Sequence, residues 1–89
     1  MANTPIQRGF IPALTLPQRL AVARETIGMN QGDFAELVGV SKATIQRHES
    51  GRAVSASKTL LMAYALATGV DYVWIATGSS DGGLDVDGD

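Results

Sequence analysis

Five glycines, Gly28, Gly39, Gly51, Gly69 and Gly78, cut the chain into short segments, and within each segment the apolar residues recur at helical spacing. The first segment carries Leu16, Leu20, Ala23 and Ile27. Pro17 suits a first helical turn whose N–H groups lack partners, with Thr15 or Leu16 as the cap. The second opens at Asn30, whose side chain can accept from the N–H of Asp33, and holds Phe34, Leu37 and Val38 as one apolar stripe. Ser41 can cap the third through Thr44, with Ile45 and His48 on its inner face. Ser55 or Ser57 opens the fourth, with Leu60, Leu61, Ala63, Tyr64 and Ala67 as its apolar positions. Asp71 caps a short fifth that holds Tyr72, Trp74 and Ile75. No stretch alternates as a strand would. The pattern predicts an all-α fold, a five-helix bundle over residues 15–78.

The flanks read differently. Residues 1–14 scatter Ile6, Phe10, Ile11 and Leu14 among Pro and Gly with no clean period, which predicts a flexible N-terminal arm, partly docked. Residues 79–89 are Gly, Ser and Asp with two apolar side chains. They cannot bury enough surface to order themselves, so a disordered acidic tail is expected. A chain of 89 residues suits one domain of modest stability, with no room after the bundle for a sensor or dimerisation domain of normal size.

Composition narrows the chemistry. With no cysteine there is no disulfide framework and no Cys-ligated zinc, which fits a reducing cytoplasm. No apolar run approaches the roughly 20 residues of a membrane span. The start has only Arg8 as a base and contains Pro5 and Pro12, unlike a signal peptide. Enzyme chemistry has little to work with, because there is no histidine pair and Ser41 lacks a base. Asp81, Asp85 and Asp87 lack the spacing and terminal Glu of a calcium loop. No cofactor and no metal are expected. His48, the one histidine, reads as a core residue, as do Tyr64 and Trp74.

The net charge of −2 hides a segregation. All seven bases lie at or before Lys58 with four acids among them, giving +3, and the other five acids follow, giving −5. A local positive face therefore remains available, and binding depends on the local field.

Residues 31–50 can bring two helices together near a right angle. Ala35 is the small residue where they touch, and Gly39 supplies the turn. With Phe34, Val38, Val40 and Ile45 facing inward, Lys42, Ala43, Thr44, Gln46 and Arg47 fall on an outer face that is short, polar and basic. Such a face suits the DNA major groove.

The run from Asn30 to Ser41, followed by Thr44-Ile45 and His48-Glu49-Ser50-Gly51, resembles the Cro/repressor (XRE-like) helix-turn-helix family of phage and bacterial regulators. The resemblance extends from about Leu16 to Gly78, where Thr68-Gly69-Val70 and Trp74 to Gly78 look like the family's last short helix. Two positions depart from the pattern. His48 replaces an apolar residue, and Arg52 to Ser57 lacks a proline often found there. The resemblance implies a lambda-repressor-like fold and a sequence-specific regulator of double-stranded DNA. Lys42, Ala43, Thr44, Gln46 and Arg47 would read base edges, and Asn30, Gln31, Ser41 and Arg52 would meet phosphates. Arg24, Ala35, Gly39, Ile45 and Glu49 would hold the motif, with Arg24 and Glu49 as an internal ion pair.

One short reading helix gives weak specificity, so a weak homodimer on a palindromic operator is expected. Its half-sites would lie about 34–36 Å apart. The region of Tyr72 to Thr77 is the favoured contact and the arm from Ile6 to Leu14 the second, unless Arg8 reaches a phosphate or the minor groove. The alternative is a protein-interaction module, such as an antitoxin or an adaptor that binds another regulator.

Overall fold

The computed structural model describes residues 12–79. The arm up to Ile11 and the tail from Ser80, with Arg8 and four of the acids, lie outside the described residues. Five helices follow in order: α1 Leu16–Thr26, α2 Gln31–Val38, α3 Lys42–Glu49, α4 Lys58–Thr68 and α5 Tyr72–Thr77.

Each helix starts on a side chain that takes one of its unpaired N–H groups. Thr15 rather than Leu16 caps α1, in a reciprocal box with Gln18. Asn30, Ser41 and Asp71 cap α2, α3 and α5. Ser57 rather than Ser55 caps α4, accepting from the Leu60 N–H at 3.1 Å.

Every helix contributes to one core: Leu20 and Ala23 from α1, Phe34 and Ala35 from α2, Ile45 from α3, Leu60, Leu61 and Tyr64 from α4, and Ile75 from α5. The α4 helix packs on α1, α2 and α5, whereas α3 packs on α1 and α2. At the centre the rings of Phe34 and Tyr64 meet with centroids 4.7 Å apart and planes tilted by 52°. Such a tilted pair adds about 1 kcal/mol beyond its buried area.

Several apolar residues differ from expectation. Leu37 is 55% exposed rather than part of the inner stripe. A helix turns about 100° per residue, so an inward arc that includes Phe34, Ala35 and Val38 leaves Leu37 on its flank. Ile27 is not the last rung of α1 but its C-cap, and it is partly exposed. His48 and Trp74 are half-buried rather than core. Trp74 lines a groove with Pro12, Leu14 and Gly78.

Arg19, one of the seven bases, is buried. Its Nε donates to the Ile75 carbonyl at 2.9 Å, Nη1 to that of Leu14 at 2.5 Å and Nη2 to that of Ala76 at 3.4 Å. The last carbonyls of a helix have no partner within it. Arg19 supplies two of them for α5 and ties the entry to α1 against that end. Gly78 has φ +80°, and a Cβ there would stand 3.1 Å from Arg19 Nη1, so glycine lets the guanidinium approach. Among the described residues, no helix is long and apolar enough to cross a membrane.

Arg19→Met should strand these carbonyls and lower stability by about 2 kcal/mol. In a domain of this size that is a fall in Tm of roughly 10 °C. Thermal unfolding followed by circular dichroism checks it, and an unchanged Tm would mean that the three bonds contribute nothing net.

Candidate nucleic-acid interface

The turn between α2 and α3 is fixed by the backbone. Gly39 adopts φ +83°, and its N–H and that of Val40 both bond the Ala35 carbonyl, at 2.9 and 3.0 Å. A non-glycine residue would be strained there. Ala35 is buried, so a larger side chain would have to displace core. The Asn30 Oδ1 accepts from the Asp33 N–H at 2.8 Å while its Nδ2 donates to the Asp33 carboxylate at 3.3 Å.

Along α3 the two faces separate. Ile45 is fully buried, and Glu49 points into the bundle with its side chain 3% exposed. Lys42, Ala43, Gln46 and Arg47 are all exposed, spaced i and i+4 in two adjacent rows. Thr44 is half-buried, and its hydroxyl shares a hydrogen bond of 2.9 Å with the Ser41 hydroxyl. Its carbonyl stands 2.8 Å from His48 Nδ1, which requires the tautomer with the proton on Nδ1. Arg52 is exposed just beyond α3, and the N–H groups of Arg52 and Ala53 close the helix end onto the Arg47 carbonyl. A Cβ on Gly32 would lie 3.5 Å from Asn30 Oδ1 and 3.8 Å from Lys42 Cδ. The structure thus brings Lys42, Asn30 and the first turn of α2 together, with Arg52 at the other end of α3.

Behind this surface stands a polar cluster centred on Glu49. Arg24 Nε donates to both carboxylate oxygens, at 3.1 and 3.0 Å, and Nη2 to Oε1 at 2.9 Å. The remaining Arg24 Nη1 donates to the Met29 carbonyl at 2.6 Å. Tyr64 donates its hydroxyl to Oε2 at 2.8 Å, and Gln31 donates Nε2 to Oε1 at 3.1 Å. The hydrogen bond to Glu49 raises the Arg24 pKa against the opposing effect of burial. Burial raises that of Tyr64 well above the ordinary phenol value, and the bond to Glu49 adds to it. The pairing of Arg24 with Glu49 followed from the resemblance. The two further donors did not: Tyr64 read only as an apolar position, and Gln31 only as a phosphate contact.

Glu49→Ala takes the acceptor from Arg24, Gln31 and Tyr64 and leaves the largely buried Arg24 only the looser, exposed Glu25 carboxylate at 3.9 Å, and should lower stability by about 3 kcal/mol in urea unfolding. The tyrosine gives a second test, in alkali. Tyr64 stays protonated in the fold above the pH, near 10, at which an unfolded tyrosine ionises. Its contribution is therefore fully present below about pH 10 and is lost as pH rises beyond it. Between pH 10 and 12 the stability of Tyr64→Phe should fall less steeply than that of the unsubstituted protein, by about 1.4 kcal/mol per pH unit.

A family model described as Helix-turn-helix matches residues 20–75, more than half of the chain. No curated protein and no solved structure matches it. The match runs from α1 into α5, and so takes in the whole α2–turn–α3 unit together with the helices that brace it. The chain belongs to the Cro/XRE-type helix-turn-helix family of DNA-binding transcription regulators.

Proposed function

We propose that the protein is a Cro-like repressor that acts by binding, not by catalysis, in the cytoplasm at the nucleoid. Its DNA-binding domain is residues 15–78, and α3 lies in the major groove. Lys42, Ala43, Thr44, Gln46 and Arg47 read base edges, with Ala43 placed for a thymine methyl. Asn30, Gln31, Ser41 and Arg52 meet phosphates on either side. The observation that carries this reading is the fixed rotation of α3. Ile45 and Glu49 are locked inward, so Lys42, Ala43, Gln46 and Arg47 can only face out. Thr44 is half-buried at the edge of that face, with its hydroxyl already shared with that of Ser41.

A weak dimer completed on a palindromic operator fits a reading helix of two turns. Expectation favours α5 as the contact; its own apolar side chains are buried or half-buried, whereas α4, which packs on it, exposes Met62 and Leu66, as Leu37 on α2 and Val54 before α4 are exposed elsewhere. The dimer contact is therefore assigned to α5 together with this side of α4. The same exposed side chains favour the second reading, a protein-interaction module such as an antitoxin or adaptor. Light scattering over a concentration series, with and without duplex, separates the two: a dimer assembles with itself on DNA, whereas an adaptor stays monomeric and ignores duplex.

Selection of binding sites from random duplex DNA should return a palindrome with half-sites one helical turn apart. Arg47→Ala should then cost about 1–3 kcal/mol on that site and relax preference at one or two base pairs. Arg52→Ala should instead weaken binding to all sequences alike and reduce the salt slope by about 0.9, the share of one phosphate. An unchanged selected motif with Arg47→Ala would remove that residue from the reading set.

A further inference from the structure

Gln31 is pulled two ways. It stands at the first position of α2, where the DNA-binding reading needs it on a phosphate, and its amide nitrogen already donates to Glu49 Oε1 at 3.1 Å. A primary amide nitrogen carries two hydrogens, so one bond does not exhaust it. The acceptor at the other end is held still. Arg24 grips both oxygens of Glu49, and the Tyr64 hydroxyl fixes Oε2 from α4. With its side chain 3% exposed, this carboxylate has no room to turn toward water.

We propose that Glu49 is a positioning residue for DNA binding. By taking one Nε2 hydrogen of Gln31 it fixes the amide with the second hydrogen presented at the interface, where it donates to a phosphate. The proposal rests on the DNA-binding reading above. An unanchored glutamine loses rotamer freedom when it is ordered. Here the fold bears that cost before DNA arrives, which is how preorganisation raises affinity. The charge arithmetic is also favourable. A lone carboxylate behind the contact would repel a phosphate, but Arg24 matches Glu49 at 2.9 Å, and the second carboxylate near that guanidinium, Glu25 at 3.9 Å, is 65% exposed and screened by water.

The test is a double-mutant cycle of Gln31→Ala and Glu49→Asp. Binding is measured on a mixed-sequence duplex at low salt, at a temperature where each variant is folded. Aspartate keeps the charge opposite Arg24 but withdraws the carboxylate by one methylene from Gln31. Each single variant should bind about tenfold more weakly, and the double variant no more weakly than either. Since neither change alters net charge, the salt slope should stay that of the unsubstituted protein. Losses that add, or a Glu49→Asp protein that binds at full affinity, would overturn the proposal while duplex binding itself survived. Failure of the unsubstituted protein to bind the duplex would overturn the DNA reading and this proposal together.

A measurement on the unsubstituted protein does not depend on any variant folding. In proton–nitrogen NMR the two Gln31 Nε2 hydrogens should differ in exchange protection, one protected in the free protein and the second only when duplex is added. Loss of the first protection on adding duplex would mean that Gln31 swings away from Glu49, and would overturn it.

Discussion

A carboxylate out of water must be matched by donors or the fold cannot keep it ionised. In this protein the Glu49 carboxylate accepts from a guanidinium on α1, an amide on α2 and a phenol on α4, and it is itself the last residue of α3. Four helices are thus tied at one charged group. An apolar contact in the same place would contribute comparable stability with no preference for direction. The hydrogen bonds add direction: each donor accepts only a limited range of angles, so the crossing of α3 over α1 and α2 is constrained at its C-terminal end. At the other end the crossing is set by the Gly39 turn and the Ser41 cap.

This arrangement explains how so small a body can present a stiff surface. A helix of two turns has little stability of its own and would rotate or fray if only Ile45 held it. With Ile45 buried in the middle, the Ser41 cap at one end and Glu49 at the other, α3 is fixed at three points along its inner side. Lys42, Ala43, Gln46 and Arg47 are left outside. The α5 helix is held in the same way. Its unpaired carbonyl end is taken by Arg19, so the shortest helix of the bundle is completed by a side chain from α1, one of the two longest. In both places arginine serves because its planar fork can satisfy several acceptors in a fixed geometry, which a lysine could not.

Much of the fold was legible from local chemistry. A capping side chain and the N–H it serves are three residues apart, so Asn30 with Asp33 and Ser41 with Thr44 can be read directly from the sequence. Where two caps were equally plausible, as with Ser55 and Ser57, the choice waited on where the loop delivered the chain to α4. Leu37 shows the limit of a pattern read by spacing alone. Its period relative to Phe34 is helical, but which arc of α2 faces inward depends on the neighbours that α2 packs against.

The sequence by itself determined the five helices, the turn at Gly39, the outward basic row on α3 and, by resemblance, the partnership of Arg24 with Glu49. These rest on groups that are close along the chain or on a repeated spacing. Tertiary structure alone decided that Gln31 and Tyr64 would join that pair, from 18 and 15 residues away, and that Arg19 would close α5 from a distance of 56 residues. The reason is physical. A hydrogen bond has a reach of about 3 Å. Whether two distant polar groups come within it depends on the angle and depth at which their helices cross, and that follows from how the whole apolar core fills its volume.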